Sequence, residues 1–354
     1  MLGHSYIFNF KVKVKLIKEQ LKNIALSIIS ITFFCILLEI GFRIYIKFAT
    51  LYDMEMHKYA KKLKQESATP GLTHEHKPNS EAELMRVNVA INSSGFRDDF
   101  IPHKKEENEY QILVAGSSIT MGWGVIYDSV FTSLLEKGLN DSGDGLNYEV
   151  INSGIGNYNT VMEAVYLEKI LRVVNPDKVI LHYFLNDVEY ISNKNSNIFI
   201  EYSYLIAYLY VRLKQSILSS VSSYNSIGEY YSDMYKSTSK GWYDAQNSII
   251  KINNLCKSKG IEFMVLIQPD LHNLSLESQQ FYCHLIIRTF LENNNIVYLD
   301  LFNVFAVKFK DELKNLWVSN DDPHPNVLGH TIIYQALYEY IIEHWNPIKK
   351  LQNN

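Results

Sequence analysis

Ser117 and Ser118 stand side by side in AGSSITMGWGV (residues 115–125), directly after the apolar run Ile112, Leu113, Val114. Small polar residues are expected wherever a buried strand turns sharply into a helix, so by itself the pair reads equally well as a polar turn. If Ser118 ends that turn, its hydroxyl projects beyond the strand's carboxyl end. Its own N–H then lies near a helix start, where partial positive charge favours an oxyanion. A serine hydroxyl attacks poorly near neutral pH unless a base takes its proton, so the chain must also supply a histidine and an acid to orient it. SNDDPHPNVLGH (319–330) offers both. Asp321 and His324 lie three residues apart across a turn holding Pro323, close enough for the carboxylate to hold one imidazole nitrogen while the other faces a serine. Asp322 is the weaker acid candidate, because its place beside Pro323 suits turn formation. The bland alternative is a solvated turn whose aspartates cap the helix begun by Pro325 and Asn326, with His324 on the surface. His330 falls inside that helix and reads as a packing or surface histidine.

Acyl transfer through a serine also needs hydrogen-bond donors aimed at the developing oxyanion. Two further stretches could provide them: NSGIGNYNT (152–160), whose glycines allow close backbone approach, and FLND (184–187). A backbone N–H from the Gly156-Asn157 turn and the Asn186 side-chain amide are the candidates, although Asn157 and Asn186 would serve equally as turn or helix caps. His324, Asp321 and the other histidines do not form a ligand-spaced cluster, so no metal or other cofactor is expected.

These residues must be positioned by the elements around them. The runs 110–116, 148–154, 178–187, 261–269 and 296–302 are β-branched and nearly continuously apolar, the pattern of strands buried on both faces. Between them, 130–139, 161–173, 242–259, 276–292 and 327–344 carry apolar residues at helical spacing. Strand alternating with helix predicts an α/β fold, a three-layer α/β/α sandwich around a mostly parallel, flavodoxin-like sheet with ligands beyond its carboxyl ends. A tyrosine- and serine-rich insertion at about 190–235 interrupts the rhythm, as a lid, a substrate-recruiting surface or plain packing.

The 354 residues carry a formal net charge of -4 with acids and lysines interspersed, which gives no footprint for nucleic acid. Cys35, Cys256 and Cys283 form no CxxC pair and no disulfide framework. Residues 24–42, IALSIISITFFCILLEIGF, are apolar over roughly 28 Å of helix with one charge, Glu39, which Arg43 can pair at i,i+4. A cleaved leader would have a shorter apolar core and a small-residue cleavage site. Five lysines (11, 13, 15, 18 and 22) precede the run, and only Arg43 and Lys47 follow closely. The expectation is therefore a cytoplasmic basic segment (1–23), a single-pass transmembrane signal anchor (24–42), a juxtamembrane stalk (43–90) and a folded periplasmic or extracellular domain (91–354). Oligomeric state is not legible.

Taken together, these stretches resemble the SGNH/GDSL hydrolase family over about residues 90–345. Gly116-Ser117-Ser118 matches its Gly-Asp-Ser block, Phe184-Leu185-Asn186-Asp187 its Gly-x-Asn-Asp block, and Asp321-Asp322-Pro323-His324 its Asp-x-x-His block. INSSGFRDD (91–99) also resembles the lead-in of membrane-anchored members. The resemblance implies Ser118 as nucleophile, His324 as base and then acid, Asp321 as its orienter, and an oxyanion hole from the Ser118 N–H, a second-block N–H and Asn186. Three positions depart from the pattern: Ser117 replaces an aspartate, Asn157 aligns better than Gly156 with the oxyanion glycine, and Phe184 replaces a glycine. The implied activity is an ester hydrolase acting on an acylated, plausibly O-acetylated, glycan outside the cytoplasm. Transfer of the same acyl group to a sugar, or glycan binding without catalysis, are the alternatives.

Overall fold

The computed structural model describes residues 2–190, 198–221, 224, 226–309 and 312–345. The chain divides into two compact units, Met1–Met54 with Ser196–Ser220, and Glu55–Asn195 with Val221–Asn354. Helix α1 (Leu2–Phe48) runs unbroken because no proline falls within it. Its stretch Lys15–Phe48 is long and apolar enough to cross a membrane, as a membrane anchor or a signal sequence would be.

Helix α2 (Tyr52–Leu63) leads into two antiparallel hairpins, β1 (Lys64–Glu66) with β2 (His74–His76) and β3 (Ser80–Leu84) with β4 (Val87–Ile91). Most of the segment expected to be a stalk, 43–90, is thus folded: Tyr59, Leu63 and Leu84 are fully buried. Its strands are three to five residues long and its buried set includes polar groups. Buried Glu55, for example, accepts the Met85 N–H at 2.7 Å. Such burial leaves no apolar periodicity to read.

The central sheet starts at β5 (Glu109–Gly116), followed by one turn of helix, α3 (Ser118–Met121), and by α4 (Phe131–Asn140). Then come β6 (Asn147–Asn152), α5 (Thr160–Ile170) and β7 (Lys178–Phe184). Helices α6 (Ile198–Tyr202) and α7 (Tyr204–Val221) belong to the unit of α1, whereas α8 (Ile227–Met234) belongs to the sheet unit and buries Tyr231. The expected insertion at 190–235 is therefore shared between two units, and residues 191–197, 222, 223 and 225 of it lie outside the described residues. The chain closes with α9 (Lys240–Ser258), β8 (Glu262–Gln268), α10 (Gln279–Asn293), β9 (Val297–Asp300) and α11 (Phe302–Phe309). A small hairpin, β10 (Trp317–Ser319) with β11 (Asp322–Pro325), and helix α12 (Val327–His344) complete it.

All five strands of the sheet are parallel, in the order β6-β5-β7-β8-β9. That is the flavodoxin-like 2-1-3-4-5 order expected from the sequence. Side chains alternate across it. Leu113, Leu181 and Val265 pack with Leu167 of α5, Ile249 of α9 and Ile287 of α10. Ile112, Ile180 and Met264 pack on the other face with Leu135 of α4, Phe305 of α11 and Ile333 of α12. Neighbouring strands β5 and β7 part to opposite crossovers at their carboxyl ends, which opens the crevice where Ser118 lies.

Candidate active site

Strand β5 ends at Gly116, where no side chain fits: a Cβ would meet Thr120 Oγ1 at 2.1 Å and the His182 carbonyl at 2.9 Å. The chain therefore turns directly into α3, and Ser118 is the first residue of that helical turn. Its Oγ lies 2.8 Å from His324 Nε2. His324 Nδ1 lies 2.5 Å from Asp322 Oδ1, so the acid beside the imidazole is Asp322 and not Asp321. The reason for this correction is the hairpin. Asp322 and His324, two residues apart on β11, point to the same side of the strand. Asp321 occupies the exposed turn, where its carboxylate accepts the Ser319 hydroxyl at 2.6 Å.

Asp322 is buried and fully used. It also accepts the His324 N–H at 3.1 Å and, through Oδ2, the indole N–H of buried Trp123 at 2.8 Å. Burial alone would raise its pKa, but these hydrogen bonds hold the carboxyl below the ordinary carboxylate value. An ionised Asp322 accepts only, which fixes the proton of neutral His324 on Nδ1 and leaves Nε2 to accept from Ser118. Asn326 fastens the hairpin to the helix behind it: its Oδ1 accepts the Leu328 and Gly329 N–H groups, and its Nδ2 donates to the Asn315 and Trp317 carbonyls.

Arg97, from the INSSGFRDD stretch, is a supporting residue to which the sequence reading gave no role. It is 1% exposed, and its guanidinium donates to the carbonyls of Met121, Gly122 and Val125 at 2.6–2.8 Å. It therefore closes the chain end that follows the Ser118 turn. The signal was a lone arginine between glycine, phenylalanine and two aspartates, with nothing to tell a buried clamp from a surface charge.

The loop after β6 packs on the Ser118 turn: the Ile155 N–H donates to the Gly116 carbonyl at 3.0 Å, and a Cβ at Gly154 would clash with the Met121 nitrogen. Here the structure separates the two second-block candidates. The Gly156 N–H is already used, donating to the Tyr59 hydroxyl at 2.9 Å, so Gly156 is not a free oxyanion donor. Asn157 adopts a φ of 67° and is exposed, and its N–H has no protein acceptor among the described residues. Asparagine tolerates that left-handed conformation better than most residues.

The Gly156-Asn157 peptide is gripped from the 55–76 region. Its Gly156 carbonyl accepts from Lys64 Nζ at 2.7 Å and His74 Nε2 at 3.0 Å, and Lys64 also donates to Asn157 Oδ1 at 2.8 Å. Tyr59 in turn lies 2.7 Å from His76 Nε2, and His76 Nδ1 lies 3.1 Å from the Gly95 carbonyl. Burial pulls both histidines down to about 3, so they are neutral. The proton of His76 must then sit on Nδ1, and the Tyr59 hydroxyl donates to Nε2 while accepting from Gly156. Burial also pulls the Lys64 ammonium down to about 7.

The third loop holds Asn186 in a short helical turn after β7, with its side chain exposed and without a hydrogen-bond partner among the described residues. Next to it, buried Asp187 accepts the Phe184 N–H at 2.7 Å. Ser117 is itself buried, directly before α3. Burial pushes the carboxyls of Asp187 and its buried neighbour Glu163 well above their ordinary range, and each is raised further by a nearby carboxylate. Of the predicted site residues, Ser118 and His324 meet directly, Asn157 and Asn186 sit on the loops flanking them, and Asp321 and Gly156 give way to Asp322 and Asn157.

Neither a family model nor a curated protein matches the chain. Among solved structures it is similar to a two-domain esterase active on acetylated mannans, co-crystallized with mannopentaose, at 15% identity and TM-score 0.41 over 66% of this chain; it spans 49% of that protein. An acetyl xylan esterase matches at 18% identity and TM-score 0.42, covering 65% of this chain and 99% of its own. A psychrotrophic esterase from Pseudoalteromonas sp. matches at 15% identity and TM-score 0.40, covering 69% and 99%. The solved structures similar to this chain also include one described as a putative lipolytic protein of the G-D-S-L family from Desulfitobacterium hafniense, at 13% identity and TM-score 0.39, covering 65% of this chain and 98% of its own.

Proposed function

We propose that the chain is a membrane-anchored serine esterase that removes an O-acyl group, in first place O-acetyl, from a glycan outside the cytoplasm. The observation that carries this reading is the alignment of Ser118 Oγ, the His324 ring and Asp322, at 2.8 Å and 2.5 Å. Ser118 Oγ bonds to the ester carbonyl carbon as its proton passes to His324 Nε2, and the carbonyl π electrons move onto oxygen. The oxyanion is met by the N–H groups of Ser118 and Asn157 and by the Asn186 amide. Collapse expels the sugar alkoxide, which takes the proton from Nε2. Water then attacks the acyl-enzyme with His324 again as base, releasing the carboxylic acid and restoring Ser118.

Support for a sugar comes from a cavity of about 720 Å³ beside the third loop, lined by Asn159, Glu189, Tyr190, Lys240 and Asp244 among others. Amide, acid and aromatic groups together suit hydroxyls and pyranose faces. Orientation follows from the lysines ahead of the apolar run, which keep the N-terminus in the cytoplasm. The test is a fluorophosphonate probe on the full-length protein, followed by peptide mapping and by assay of acetate released from acetylated xylan. An adduct on Ser118, with acetate release lost in Ser118→Ala, is expected. An unlabelled Ser118 in the folded wild-type protein overturns the reading.

A further inference from the structure

We infer that α7 is a second membrane-contacting element, docked on the anchor helix through Glu39, with its outer apolar stripe seated among lipid acyl chains and headgroups. This rests on the reading of α1 as a membrane anchor. Glu39 is the one acid in the apolar run of α1, and an unpartnered carboxylate there is strongly disfavoured. In the structure its oxygens take the Arg43 Nε at 2.7 Å, the Ser203 hydroxyl at 2.8 Å and the N–H groups of Tyr204 and Leu205 at 3.0 and 3.1 Å. The carboxylate of one helix therefore caps the start of the other, where unsatisfied N–H groups and the positive end of the helix dipole favour it. Arg43 completes the joint by donating to the Tyr202 carbonyl at 2.9 Å.

The cap fixes the level at which α7 starts: beside Glu39, inside the apolar stretch Lys15–Phe48. From there α7 follows α1 in the same direction, with Phe42 against Tyr208 at 5.2 Å between ring centres and Arg212 3.6 Å from Asp53. Tyr204, Ala207, Tyr208 and Arg212 thus lie toward the anchor side. Ile206, Leu209, Tyr210, Leu213 and Ile217 form a stripe on the opposite side at helical spacing, each between 42% and 63% exposed. Five large apolar side chains in one stripe are an unfavourable water-facing surface. Ile40, Ile44 and Phe48 of α1, between 49% and 77% exposed, add to the apolar surface of the same unit. A partner that covers both helices at the depth of Glu39 is the bilayer itself, which makes an interfacial position the one that fits.

The test uses the full-length protein in phosphatidylcholine and phosphatidylglycerol vesicles, in a Cys35→Ala background whose remaining cysteines, Cys256 and Cys283, are buried. An environment-sensitive nitrobenzoxadiazole label is placed in turn on Ile206→Cys, Leu213→Cys, Ile44→Cys and Asp141→Cys. Blue-shifted emission quenched by doxyl-labelled lipid is expected at 206 and 213 as at 44, with water-like emission at 141. In Glu39→Leu, the 206 and 213 labels should shift back toward water while 44 stays quenched. Water-like, iodide-accessible emission at 206 and 213 with lipid quenching at 44 overturns the docked helix and leaves the anchor intact. Water-like emission at 44 overturns the anchor and the inference together.

Discussion

The proposed proton transfer and charge stabilisation converge on Ser118 but are held by unlike parts of the chain. Ser118, His324 and Asp322 come from a strand end and a short hairpin, and their partners, Trp123 and Asn326, lie within a few residues of them. The two peptides flanking Gly156 are instead held by Tyr59, at its N–H, and by Lys64 and His74, at its carbonyl, some eighty to a hundred residues away in sequence. The first side needs few residues, all from two short segments that meet through the Ser118–His324 and Trp123–Asp322 contacts, 206 and 199 positions apart in sequence. The second side depends on a distant segment staying folded, so it is the side where remote substitutions should reach the chemistry.

The largest effect should come from breaking the first side. Ser118→Ala or His324→Ala should lower kcat/KM on p-nitrophenyl acetate by on the order of 10⁴ or more, with melting temperature unchanged. Next, Asp322→Asn should cost about 10³ to 10⁴, because it destroys the acceptor that sets the imidazole proton, whereas Asp321→Asn should stay within about twofold. Equal losses for the two aspartates in the same assay would show that the hairpin geometry is wrong.

On the second side, Tyr59→Phe strips the Gly156 N–H of its acceptor in a buried site, at a cost of about 1–3 kcal/mol. The expected result is a lower melting temperature together with a kcat reduced about tenfold and little change in KM, since the loop acts on the oxyanion and not on binding. A fall in stability with kcat untouched would reduce Tyr59 to a core residue. The smallest effect concerns the strand that leads to this loop. Glu136 accepts the Val150 N–H of β6 at 2.8 Å, and burial pushes its carboxyl up to about 7. The folded state then keeps a proton that the unfolded state has lost between about pH 4.5 and 7, so stability falls as pH rises through that window. Glu136→Gln should flatten the fall, gaining about 1 kcal/mol at pH 8 relative to pH 5 in urea titrations.

The same contrast explains what the sequence made legible. The five parallel strands and their helices were readable because continuous apolar runs and helical spacing carry tertiary information locally. Ser118 and His324 were readable because a strand-ending serine and a histidine before a helix are local patterns too. The acid was misassigned: Asp321 and Asp322 differ only in which face of a two-residue hairpin step they occupy, and spacing alone did not decide it. Tyr59, Lys64, His74 and Arg97 went unread because each is a polar or amphipathic residue whose partners lie in other segments of the chain. A polar segment with short strands looks like a linker until its partners are known. The helix at 204–221 looked like an insertion for the converse reason, its apolar residues facing outward.

The gripped peptide also predicts a dynamic asymmetry. With the Gly156 N–H of the Ile155–Gly156 peptide held by Tyr59, and the Gly156 carbonyl of the Gly156–Asn157 peptide held by Lys64 and His74, neither peptide plane flanking Gly156 is free to rotate. The Gly156 amide should therefore be among the slowest in the molecule to exchange its hydrogen with solvent. Its immediate neighbour, the exposed Asn157 amide, should exchange within the first time points. Two adjacent hydrogens at opposite ends of the exchange scale would mark a resting protein whose donor is already aimed before any substrate arrives.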